Sequence, residues 1–255
     1  MGSVMGIISG KGGVGKTTIT VNLGVTLVKY FSKKVLVMDG NITAPNLGLY
    51  LGFLETEKSI IDVLRNRIDI KDCIYLHPSG LHVIPSSLES FDEEMLKRID
   101  LLEEKINEIK DFYDYILIDS AAGISLEVLE VIKISDYIIL VCLPEISSII
   151  SMLKARRVVL EYGKRILGLI INRVAERTKM ERSYTEYLSY LRIIGEIPFS
   201  KLVAKSIAEV KPAVLLEGDK KFVEAFKEIA ANVIGTYYIK KVSFWEKLKE
   251  ILWRR

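Results

Sequence analysis

The sequence predicts an α/β fold, a mostly parallel β-sheet flanked by helices on both faces. Short runs rich in Ile, Val and Leu recur along the chain with little polar alternation. That is the pattern of strands covered on both sides. Segments with helical spacing of apolar residues lie between them, and strand–helix alternation of this kind winds a parallel sheet. A glycine-rich turn joins the first apolar run to the first helical segment.

Taken in chain order, strands are expected at 4–9, 35–39, 81–85, 115–119, 137–142, 166–171 and 193–197. Helices are expected at 16–30, 91–112, 125–133, 146–161, 201–209 and 218–234. No internal repeat or low-complexity segment interrupts the pattern. A chain of 255 residues without an obvious linker fits one large domain. The expected organisation is a body over 1–239 and a short tail over 240–255.

Composition narrows the class. Hydrophobic residues make up 49% and charged residues 27%, a globular balance. The longest apolar candidate, "YIILVCLPEISSII", is broken by Pro144 and Glu145 and is too short to span a bilayer. The start lacks the basic segment, apolar block and cleavage site of a secretory signal. Cys73 and Cys142 lie on apolar runs without CxxC spacing and read as small core residues in a reducing compartment. The formal charge is +3, unevenly placed. Residues 240–255 hold Lys240, Lys241, Lys247, Lys249, Arg254 and Arg255 against Glu246 and Glu250, a local net of +4 that leaves 1–239 at −1. A near-neutral body argues against nucleic-acid binding through bulk charge.

"GKGGVGKT", from Gly10 to Thr17, fits G-x-x-x-x-G-K-[ST] between an apolar strand and a helix. Glycines let backbone N–H groups wrap a phosphate chain where Cβ atoms would clash. The helix starting near Lys16 adds its positive dipole end. Lys16 suits the β and γ phosphates, and the Thr17 hydroxyl suits Mg²⁺. An ordinary phosphate loop has no use for Lys11.

"KGGVGKTT" resembles the deviant phosphate loop of the ParA/MinD class of P-loop ATPases. The resemblance implies that Lys11 reaches across a dimer to the nucleotide of the other subunit, so that one lysine serves its own ATP and the second acts only when two subunits face each other. It implies nucleotide contacts from Gly10, Lys11, Gly12, Gly13, Val14, Gly15, Lys16, Thr17 and Thr18. "VLVMDGNITAPNLGLYLG" and "YILIDSAAGIS" resemble the first and second switch segments of MinD. With them come Mg²⁺-side roles for Thr17, Asp39 and Asp119, with Asp39 holding a metal-bound water. "INR" at 171–173 and "IPFS" at 197–200 fall where the family contacts adenine. Asn172, Arg173 and Pro198 are the residues carried over there.

Two departures stand out. Relatives read D-x-D after the second strand, whereas this chain reads Asp39, Gly40, Asn41. An amide at residue 41 can hold a water but cannot take its proton. With Lys11 and Lys16 it completes the expected catalytic set, and slow turnover is expected. Ile149, Ile150, Ser151, Met152 and Leu153 are largely apolar where bacterial MinD carries charged residues that meet its partners, which weakens the inference to MinC or MinE.

The tail reads "VSFWEKLKEILWRR". At 100° per residue, Phe244, Trp245, Leu248, Ile251 and Leu252 share one arc, with Glu246, Lys247, Lys249, Glu250 and Arg254 outside it. Such a basic amphipathic helix suits an anionic membrane surface, and the resemblance implies the same. A helix docked on the protein's own core is the competing reading. The expected protein is a MinD-like ATPase with ATP and Mg²⁺ as cofactors. It would dimerise on ATP, bind the inner face of the cell membrane reversibly from the cytoplasm, and position or regulate an unidentified protein partner. A non-catalytic ATP-binding membrane scaffold and a positioning ATPase of the ParA or FlhG type are the alternatives. An iron–sulfur carrier would want the CxxC that is missing.

Overall fold

The protein is described here by a computed structural model covering residues 2–53, 56–87, 98–175 and 182–238. The first apolar run forms β1 (Ser3–Ile8), and the glycine-rich turn leads directly into α1 (Lys16–Phe31). The chain continues through β2 (Val35–Gly40), α2 (Leu47–Leu51), α3 (Ile60–Leu64), β3 (Tyr75–Leu76) and β4 (His82–Ile84). Next come α4 (Leu101–Asn107), β5 (Tyr115–Ser120), α5 (Leu126–Ile134), β6 (Tyr137–Cys142) and α6 (Ile146–Glu161). β7 (Arg165–Val174), α7 (Arg182–Ser189), β8 (Ile193–Pro198), α8 (Leu202–Ala208) and α9 (Lys220–Val233) complete the described elements.

The strands form one sheet in the order β3-β4-β2-β5-β1-β6-β7-β8. All pairs are parallel except β3 with β4. The expected strands therefore appear, and the fold class is the expected one. The antiparallel edge strand β3 was not foreseen, because two residues are too few to show a period. Of the helix expected over 91–112, the described part is α4 and a 3₁₀ turn at Lys110–Phe112. The short helices α2 and α3 were also missed. Ser59 and Asp62 cap α3 reciprocally, a local signal too brief to read without its context.

Two cores cover the sheet. On one face α5 and α6 pack through Val131, Ile132 and Met152 onto Ile116, Ile118 and Leu140. On the other, α1 and α9 pack through Leu23, Phe222, Phe226 and Ile229 onto Leu117, Ile139 and Ile170. Both faces of the strands are dry, which is why they read as unbroken apolar runs. β1 and β5 are neighbours, and the chain leaves β1 toward β2 on one side of the sheet but crosses from β5 to β6 on the other, so the connections reverse direction there. In open parallel sheets the crevice at such a reversal, beyond the strands' carboxyl ends, is where ligands bind. The ends of β1, β2, β5 and β7 carry the glycine turn, Asp39, Asp119 and Asn172 to that crevice.

Candidate functional site

The glycine turn is held open by its backbone. Gly13 and Gly15 adopt φ of +73° and +95°, a conformation that side chains other than glycine resist. A Cβ on Gly13 would point into empty space, leaving its surroundings free for a ligand. Gly10 is small for another reason. A Cβ there would lie 1.9 Å from the Ser151 carbonyl oxygen, so α6 packs directly on the turn.

Gly15 precedes α1 and supplies no side-chain cap, and the first turn of α1 carries no acidic residue. Its leading N–H groups and positive dipole end therefore face the crevice. Lys16 is buried, and its Nζ donates to Ser9 Oγ at 3.0 Å. Burial pulls the Lys16 ammonium below the usual lysine range, and the Asp119 charge pulls it back.

Thr17 Oγ1 donates to Asp119 Oδ2 at 2.5 Å, and Thr20 Oγ1 reaches Asp119 Oδ1 at 3.5 Å. Asp119 stands in register with Asp39 on the neighbouring strand. Asp39 is fully buried and accepts three backbone N–H groups, from Asn41 at 3.0 Å, Asn46 at 3.0 Å and Leu47 at 2.9 Å. Its carboxylate thus anchors the loop 41–46. Desolvation, then the Asp119 charge, pushes Asp39 up to about 7 against those three bonds. Desolvation pushes Asp119 up to about 6.

Both shifts run upward from an ordinary value near 3.8, so between about pH 4 and pH 7 the folded state binds more protons than the unfolded one. These two groups therefore contribute stability at the acid end of that window and lose it as pH rises through it. Without metal and nucleotide, the melting temperature is expected to fall from pH 5 to pH 8. Added Mg²⁺ and ADP should raise it more at pH 8, where Asp119 is ionised. A profile that rises with pH in Asp39→Asn and wild type alike would contradict this assignment.

A cleft of about 330 Å³ opens here, lined by Gly13, Gly15, Lys16, Thr17, Thr18, Asn41, Asn46, Tyr50, Ser120, Ala122, Arg173, Val203 and Ile207. Of the sequence-predicted residues, Gly13, Gly15, Lys16, Thr17, Thr18, Asn41 and Arg173 line it, and Asp119 lies buried behind Thr17. Val14 is instead a core residue, and Asn172 donates its Nδ2 to the Val14 carbonyl at 2.7 Å. Asn172 therefore props the glycine turn from β7, and its Oδ1 accepts the N–H of Arg173. Pro198 ends β8 opposite Val174, outside the cleft lining. Lys11 turns away from the cleft. Its Nζ donates to Glu145 Oε1 at 2.9 Å and Ser147 Oγ at 3.2 Å, with both charged side chains about half exposed. Sequence reading missed Ser9, Asn46, Tyr50, Val203 and Ile207, because nothing but the fold brings them together. Phe244, Trp245, Leu248, Ile251 and Leu252 lie outside the described residues. Among the described residues no helix is long and apolar enough to cross a membrane.

The cleft fits a polyphosphate with a divalent cation. It offers an uncapped helix end, free glycine surroundings, one buried lysine and a Thr17–Asp119 pair whose oxygens are hard-metal donors. The family described as an AAA domain matches residues 2–166. An uncharacterized ATP-binding protein of Methanocaldococcus jannaschii is 40% identical over 264 residues, covering 100% of this chain and 98% of that relative. The septum site-determining protein MinD of Pyrococcus horikoshii, solved with Mg-ADP, superposes with a TM-score of 0.83 at 32% identity, covering 91% of this chain and 96% of that one. The chain belongs to the ParA/MinD family of P-loop ATPases. Within this MinD-like group, a MinD of Aquifex aeolicus solved as a MinC:MinD complex has a TM-score of 0.81 at 29% identity, covering 94% of this chain and 98% of that chain. A MinD-like chain accounts for the conjunction of a strand–turn–helix phosphate loop, an extra lysine and the Asp39/Asp119 pair.

Proposed function

We propose that this MinD-like chain is an ATP-driven dimeric switch that binds an anionic membrane reversibly and positions or regulates a protein partner. The observation that carries the proposal is the division of labour between the two lysines. Lys16 is buried inside the phosphate loop, while Lys11 is parked outside it on Glu145. The Lys11–Glu145 pair is exposed and screened by water and salt, so it is a weak hold that a triphosphate in a facing subunit can outcompete. The γ-phosphate oxygens of ATP, absent from ADP, would make that exchange nucleotide-dependent.

Lys16, the glycine-turn N–H groups and the α1 end hold the phosphates, while Thr17 and Asp119 hold the metal, which neutralises β- and γ-oxygen charge when bound. Arg173, Tyr50, Val203 and Ile207 form the outer wall, where the nucleoside would rest. Asn41 lines the cleft with its amide nitrogen committed to the Ala44 carbonyl, which leaves it a poor water-positioning group and supports slow hydrolysis. The MinC:MinD complex of the Aquifex relative supports a protein partner of the same general kind.

The membrane part of the proposal rests on residues 240–255 as a unit separate from the body over 1–239. Five apolar side chains would contribute about 1.5–3 kcal/mol each on insertion. Ordering the helix costs on the order of 1 kcal/mol per residue. One tail then binds weakly, and two tails on a dimer bind far better. Deleting residues 243–255 is expected to abolish co-sedimentation with anionic liposomes while ATP affinity stays unchanged. Tubes with ATP, ADP or no nucleotide, with phosphate release followed in each, test the whole proposal. Pelleting of the truncated protein, or equal pelleting of the full chain in all three, would overturn the membrane switch.

A further inference from the structure

The loop 41–46 is fastened at both ends by its own neighbourhood and in the middle by a distant helix. Asp39 takes the N–H groups at either end, and the side-chain amides of Asn41 and Asn46 both donate to the Ala44 carbonyl. Thr43, at the middle, is held by Glu127 of α5. Glu127 Oε1 accepts the Thr43 N–H at 2.7 Å and Oε2 accepts the Thr43 hydroxyl at 3.1 Å. Glu127 is buried, and among the described residues it makes no ion pair. A buried carboxylate without a cation is costly unless its oxygens are hydrogen-bonded. Both are occupied here, by one residue of the loop.

The other end of this connection is the segment 120–125, which leads from Asp119 into α5. Ser120 Oγ donates to the Ile7 carbonyl at 2.8 Å, and the Gly123 N–H donates to the Ser9 carbonyl at 3.2 Å. Ser9 is also the partner of Lys16. Bonds thus run from the phosphate loop through 120–123 and the first turn of α5 to Thr43.

We propose that Glu127 is a positioning residue that couples the two loops at the γ-phosphate end of the cleft, so that 41–46 and 120–125 respond to nucleotide as one body. This rests on the nucleotide reading above. Without Glu127, the 120–125 segment still meets the metal side, but the middle of the 41–46 loop, at Thr43, is no longer held to α5. Coupling of this kind needs a physical link that both sites bias, and the Glu127–Thr43 bond pair is that link.

Hydrogen exchange of the full chain, with and without ATP and Mg²⁺, tests the proposal. In wild type, peptides spanning 41–47 and 120–126 are expected to slow together on adding ATP. In Glu127→Ala, exchange over 41–47 should speed about ten-fold without nucleotide and lose its response to ATP, while 120–126 keeps its own. Glu127→Gln should restore the coupling, because its amide oxygen accepts the Thr43 N–H and its amide nitrogen donates to the hydroxyl. Should Glu127→Ala fold poorly, Thr43→Val at an exposed position removes the hydroxyl half alone and should give a partial loss. Joint slowing that persists in Glu127→Ala or is undiminished in Thr43→Val, or wild-type loops that respond separately or not at all to bound ATP, would overturn the coupling. Absence of ATP binding in a parallel titration would instead overturn the nucleotide reading.

Discussion

Lys16→Ala is expected to lose nucleotide binding, whereas Lys11→Ala keeps ATP affinity within about three-fold and loses the ATP-dependent dimer. Lys16 is desolvated, bound to Ser9 Oγ and influenced by Asp119, at the point where α1 begins. Hydrogen bonds from a charged donor contribute roughly 1.5–3 kcal/mol each. Losing the phosphate contacts of Lys16 then weakens ATP on the order of a hundred-fold or more. Truncation also removes the positive charge that Asp119 faces, which adds to the loss. Lys11 makes no contact inside the cleft of its own subunit, so its removal leaves that affinity nearly intact. It also frees Glu145, whose carboxyl Lys11 holds below the usual range, chiefly through their hydrogen bond. In a two-fold dimer each such contact occurs twice, so the dimer should weaken by on the order of a hundred-fold or more. Light scattering with ATP, set against a nucleotide titration of the same variants, separates the two effects. A Lys11→Ala chain that still dimerises on ATP would remove the basis for a trans role.

The same two lysines mark how much a sequence can say. Their presence was legible because a phosphate loop has fixed spacing and needs only one of them. The strands were legible because burial on both faces erases polar alternation. The parking of Lys11 on Glu145 was not, since 134 residues separate them and only the β1–β6 pairing brings them together. Asn172 shows the same limit. Its amide suited an adenine edge, but a Cβ on Gly15 would lie 2.3 Å from its Nδ2, so the side chain abuts the glycine turn. Glu127 gave no signal, because an acidic residue in the first turn of a helix is commonplace. Only its burial and its contact with Thr43 set it apart.

Asn41→Asp is expected to raise phosphate release by about ten-fold or more. In the proposed switch, ATP binding and dimerisation rest on Lys16, Thr17 and Lys11, whose side-chain hydrogen bonds go to Ser9, Asp119, Glu145 and Ser147 and not to residue 41. Hydrolysis also needs a water held in line with the γ-phosphate. In the present structure the Asn41 amide nitrogen is spent on the Ala44 carbonyl. A carboxylate cannot donate to that oxygen and is repelled by it, so it turns toward the cleft that residue 41 already lines. Asn46 still donates to Ala44 at 2.8 Å, and Asp39 still holds the N–H of residue 41, so the loop keeps its shape. There the new carboxylate accepts from the water and stabilises the positive charge that develops on it. A tenfold change is about 1.4 kcal/mol of barrier, and one water-positioning group can supply one to three such steps. The faster variant should also show a shorter-lived ATP dimer and a shorter membrane dwell time. Asn41→Ala should change turnover little, because an amide tied to Ala44 contributes little to begin with. Unchanged turnover in Asn41→Asp together with loss of turnover in Asn41→Ala would make the amide itself the working group, and slow hydrolysis would then need another cause.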